Sequence, residues 1–150
     1  TKSDFEILTR NALAASDLSL VVVKDQASLL EAQRVFDWLR HRGEPEERAR
    51  VVLSLVDRRV KYADAATPDV LALLRAEVHR LGYPAFEAYL SRSPTIEALL
   101  TNPDGRSLSI LNAASTSIVH RQMTRLAQEV LDALRPESLG EDAAQTGADR

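Results

Sequence analysis

Two short apolar runs, Leu18-Ser-Leu-Val-Val-Val23 and Arg50-Val-Val-Leu-Ser-Leu-Val56, constrain the fold more than any other feature of this chain. Each is too short and too rich in β-branched residues for a buried helix, and each is followed by residues that repeat at helical spacing. Near-continuous apolar strands of this kind are typical of a parallel sheet covered on both faces. After the first run, Leu29, Ala32, Phe36 and Leu39 share a helix face, with a capping box from Ser28 to Glu31 at its start and Gly43 to end it. After the second, Thr67-Pro68 reads as an N-cap and first helical residue. Leu71, Leu74, Val78 and Leu81 then make one face, and Gly82 stops the helix. Ala85-Phe-Glu-Ala-Tyr-Leu90 is a third strand, Pro94 to Leu100 a short helix broken at Asn102-Pro-Asp-Gly105, and about 112–135 a long final helix. Before the first strand, Ile7, Leu8 and Leu13 suit a helix ending near Ser16-Asp17.

Strands alternating with helices of these lengths imply right-handed crossovers and a parallel sheet, an α/β fold with flanking helices. Ligands of such sheets bind beyond the carboxyl ends of the strands, which here means just after Val23, Val56 and Leu90. Of the 150 residues, 45% are hydrophobic and 27% charged, a balance that excludes a disordered chain. The absence of cysteine rules out a disulfide framework and thiolate metal sites. No apolar run approaches the roughly 18 residues that cross a bilayer, so a soluble, cytoplasmic protein without a membrane anchor is expected. Residues 136–150 carry the whole formal charge of −3, leaving 1–135 balanced, and this acidic stretch lacks periodicity. It is expected to be a flexible tail beside a single domain spanning 1–135. The chain begins with Thr, and its amphipathic pattern starts almost at once at Phe5, which leads us to expect a piece of a larger unit.

Few residues carry chemistry outright. Arg58, Arg59 and Lys61 place three cations on the loop after the second strand, either as phosphate contacts or as a solvated turn. Ser91-Arg92-Ser93-Pro94 opens a helix after the third strand; it could offer backbone N–H groups to an anion or a base, or be a plain cap by Ser93. His41, His79 and His120 have no metal-ligand spacing, no nucleophile elbow occurs, and the five glycines do not form a phosphate-cradling loop. Phe36 and Trp38 suit core and interface filling better than a base-stacking platform.

Taken in order, four segments resemble the C-terminal half of ParA-type ATPases, the deviant-Walker family that includes MinD. Ile7-Leu-Thr-Arg-Asn-Ala-Leu-Ala-Ala-Ser-Asp-Leu-Ser-Leu-Val-Val-Val23 is similar to the helix and strand that follow that family's Walker B aspartate. Val51-Val-Leu-Ser-Leu-Val-Asp-Arg-Arg-Val-Lys61 is similar to its strand ending in an Asp-x-Arg-Thr loop. Tyr89-Leu-Ser-Arg-Ser-Pro-Thr-Ile-Glu-Ala98 and Leu126-Ala-Gln-Glu-Val130 resemble its base-bordering segment and closing helix. The likeness runs from about Ile7 to Leu134 and departs at Val22 and Ser91, where the family carries prolines.

The resemblance implies the C-terminal half of a P-loop NTPase-like doubly wound fold. Ser54, Leu90, Ser91, Arg92 and Ser93 would border the nucleotide base, and Arg58, Arg59 and Lys61 would contact DNA without base specificity. In a full-length protein it implies ATP and Mg2+, a homodimer, a ParB-like centromere-binding partner, and plasmid or chromosome partition. The phosphate loop would lie before Thr1, so this chain alone would bind neither cofactor and be inactive. The alternative expectation is a free-standing α/β protein-interaction module without ATPase activity.

Overall fold

A computed structural model describes residues 2–57, 69–94 and 116–135. The chain runs through α1 (Lys2–Ala15), β1 (Ser19–Val23), α2 (Gln26–Arg42), a 3-10 turn (Glu46–Arg48), β2 (Ala49–Val56), α3 (Val70–Arg80), β3 (Ala85–Ser91) and α4 (Ile118–Ala133). The strands form one parallel sheet in the order β1-β2-β3, as the alternation of elements requires. The expected helix at 94–100, the basic loop and the tail from 136 lie outside the described residues.

Strand order equal to sequence order, with crossovers of one hand, puts α2 and α3 on the same face of the sheet. Here Leu29, Ala32, Phe36 and Leu39 of α2 and Leu71, Leu74 and Val78 of α3 close over Val23, Val51, Leu53 and Val56. Phe36 is fully buried and stacks on Tyr83, with ring centroids 4.1 Å apart and planes 9° from parallel. Burial of such a ring is worth roughly 1.5–3 kcal/mol before its contact with Tyr83 is counted. Tyr83 is positioned by the turn at Gly82, whose φ of 70° is open to glycine at no steric cost.

Side chains alternate along a strand, so Val52 points to the opposite face, where it meets Phe86, Ala88 and Leu126 of α4. That helix runs back along β3: Gln122 sits beside Ser91, while Glu129 accepts the Ala88 amide at 3.1 Å. Its main contacts are with β3, and Leu20 and Val22 of β1 are 44% and 61% exposed. The expectation that the first strand is covered on both faces thus fails among the described residues, because the covering helix follows β3, not its neighbour two strands away.

Caps also differ in detail. The N-cap of α2 is Asp25, which accepts the Ser28 amide at 2.8 Å while the Ser28 hydroxyl accepts the Asp25 amide at 3.0 Å. Glu31 pairs instead with Arg34, at 2.8 Å. Asp69 caps α3 through the Ala72 amide, so the helix starts at Val70, beyond the Thr67-Pro68 pair. Gly43 ends α2 at φ 66° as its position predicts.

Candidate functional site at the carboxyl edge of the sheet

Parallel pairing brings the carboxyl ends of all three strands to one edge. At that edge Val56 of β2 is in register with Ser91 of β3, and the Arg92 amide donates to the Val56 carbonyl at 3.0 Å. The two segments that the sequence singles out, around Ser54 and Leu90–Ser93, are therefore neighbours in space. Ser54 is half-buried and lies two residues beyond Val52, within the stretch where the β2–β3 register is irregular. Leu90 packs against the Val52, Phe86, Ala88 and Leu126 cluster. A hydroxyl on β2 and an aliphatic wall on β3 thus stand on adjacent strands near their carboxyl ends. Ser93 is half-buried and Arg92 exposed, while Arg58, Arg59 and Lys61 fall outside the described residues.

Two residues that the sequence does not mark shape this edge. Gln122 clamps the end of β3 from α4, its carbonyl accepting the Ser91 amide at 3.0 Å and its amide nitrogen donating to the Ser91 hydroxyl at 2.9 Å. The amide and the hydroxyl of Ser91 are both engaged in this way, so a ligand at this edge would compete with Gln122 for them. A glutamine on a helix with other polar residues gives no local sign of such a role. Leu55 holds φ at 56°, a left-handed conformation rare for a branched side chain, at the point where the β2–β3 register shifts. The irregularity turns Leu55 outward, 58% exposed, and returns Val56 to the core. Strain of this kind clusters at functional edges, and propensity cannot reveal it because leucine is unremarkable in a strand.

Beyond β1, Asp25 is held below the ordinary carboxylate range, first by the Ser28 backbone N–H and then by its side chain, with Lys24 adding a smaller attraction. It serves the helix and stays ionised at neutral pH. Among the described residues no three His, Asp or Glu side chains are grouped closely enough to hold a metal ion.

Two clefts formed by described residues lie away from this edge. One, about 630 Å³, runs between α1 and α2. The other, about 400 Å³, lies at the amino end of β3, where the Arg50 guanidinium sits 5.7 Å from the centre of the Phe86 ring. No protein-family model, curated protein or solved structure was found to match the chain.

Proposed function

We propose that the chain is the C-terminal portion of a ParA-like ATPase acting in plasmid or chromosome partition. It contributes the rim of a nucleotide-base pocket, part of a dimer surface and a sequence-independent DNA contact. One observation carries this reading: the segments holding Ser54 and Leu90, distant in sequence, lie on adjacent parallel strands that end side by side at Val56 and Ser91, the place at which α/β sheets receive ligands. The ordered likeness from Ile7 to Leu134 supplies the nucleotide as the ligand.

The residues present suit the base end of ATP only. Ser54 offers a hydroxyl and Leu90 an apolar surface for a ring, whereas nothing in the glycine spacing suits the phosphates or Mg2+. Those groups would be held by the remainder of the full-length protein, where magnesium neutralises charge on the γ-phosphate. Arg58, Arg59 and Lys61 would meet duplex backbone, with a ParB-like partner stimulating hydrolysis.

The reading is tested by titrating ATP with Mg2+ into the 15N-labelled full-length protein. Amide signals of Ser54, Leu90, Ser91 and Arg92 are expected to move together at millimolar nucleotide, with those of α2 unchanged. Silence at all four positions overturns the base-pocket role. In parallel, affinity for a random duplex is expected to fall with salt, and Arg59→Ala to lower the salt slope by about one unit. An unchanged slope removes the loop from the DNA contact.

A further inference from the structure

We infer that the groove between α1 and α2 is a docking site for an acidic amphipathic helix of a partner protein. This inference is independent of the nucleotide reading, since the groove lies on helices away from the carboxyl edge.

The groove is held open by how α1 is attached. None of the described side chains of α1 is buried, and Ile7 and Leu8 are 56% and 69% exposed. The helix is secured at its carboxyl end, where Arg48 donates to the Ser16 carbonyl at 2.7 Å. Between it and α2 remains a space of about 630 Å³ with an apolar floor of Leu13, Val35 and Trp38, each only partly buried. A trough walled by two helices and floored by aliphatic and aromatic groups suits a third helix laying its apolar face inside.

Charge selects the partner. Arg10, Arg34 and Arg42 line the groove against Glu31 and Asp37. Both carboxylates are already engaged: Glu31 with Arg34 at 2.8 Å, and Asp37 with Arg40 at 3.3 Å. Arg42 has no carboxylate opposite it among the described residues; its guanidinium lies 5.1 Å from the centre of the Trp38 ring. Arginine over tryptophan gives a flat, weakly hydrated cation beside an apolar face, and both residue types are enriched among the side chains that carry binding energy in protein interfaces. An incoming carboxylate completes Arg42 while a neighbouring aliphatic side chain covers Trp38. The apolar floor disfavours a nucleic-acid backbone, which needs an unbroken cationic track.

Trp38 is the only tryptophan of the chain, so its emission reports on this groove directly. The probe is a synthetic helical peptide of about 18 residues, roughly five turns, with leucines on one face and glutamates on the other. Saturable change of Trp38 emission is expected with this peptide, and none with versions carrying lysine for glutamate or serine for leucine. Arg42→Gln is expected to weaken binding about five- to tenfold, while Arg80→Gln, on α3 and paired with Glu77, leaves it unchanged. The inference is overturned if the lysine peptide or a random duplex binds as tightly as the glutamate peptide. Equal affinity of the Arg42→Gln and Arg80→Gln proteins overturns it as well. So does sedimentation showing that a second copy of the chain fills the groove and is not displaced by the peptide.

Discussion

On one face of the sheet, α2 and α3 bury Val23, Val51, Leu53 and Val56 completely or nearly so; on the other, α4 shelters Val52, Phe86 and Ala88 and leaves Leu20 and Val22 open. The covered face is built by crossover helices, each joined to the strands on either side of it, so chain connectivity alone delivers them. The other face depends on a helix that begins 27 residues after β3 ends, as the bounds Ser91 and Ile118 show. One side of a parallel sheet is thus covered by local topology, whereas covering the other requires an element that returns from far along the chain.

The sharpest test of that contrast is Phe36→Ala on the covered face. Loss of a fully buried, stacked ring is expected to cost about 3–5 kcal/mol in urea denaturation. A loss under about 1 kcal/mol would show that this face is not the main source of stability. Leu126→Ala on α4 removes the helix's deepest contact with the opposite cluster and is expected to cost about 2 kcal/mol, the low end for such truncations, because that cluster is smaller. Equal costs at the two positions would break the distinction between the faces.

Leu55→Gly acts in the other direction. Relief of the left-handed conformation gains about 1–2 kcal/mol and glycine's extra freedom in the unfolded chain takes back part of it. A net stabilisation of about 0.5–1 kcal/mol is expected in the same assay, and a destabilisation would mean that the Leu55 side chain is packed despite its exposure. The smallest effect belongs to the open face, where Val22→Thr is expected to stay within about 0.5 kcal/mol. A cost several times larger would show that something covers β1.

Much of the architecture was legible in the residues themselves. The β-branched runs ending at Val23 and Val56, the 3.6-residue spacing of Leu29, Ala32, Phe36 and Leu39, and the glycines at 43 and 82 each act within a few positions. Their physics is local, so alternation of strand and helix, a parallel sheet and the core face of α2 followed from sequence order. The candidate edge was half legible. Ser54 and Leu90–Ser93 stand where strands end, and strand ends are set by the same local patterns.

Tertiary structure alone decided the remainder. That Val56 stands beside Ser91, that a bulge at Leu55 re-aims the strand end, and that Gln122 takes the amide and the hydroxyl of Ser91 depend on pairings 31 to 35 residues apart. The exposure of Leu20 and Val22 has the same origin. Their apolar character marks them as strand residues, but which faces are covered depends on where α4 comes to rest. The groove beside Trp38 likewise arises only when α1 comes to lie along α2, with Arg48 donating to the Ser16 carbonyl at its end. Short-range patterning determines what each segment becomes, because caps and periodicity act within a few residues. Which surfaces meet and which stay open is a matter of long-range packing, and no window of the sequence contains it.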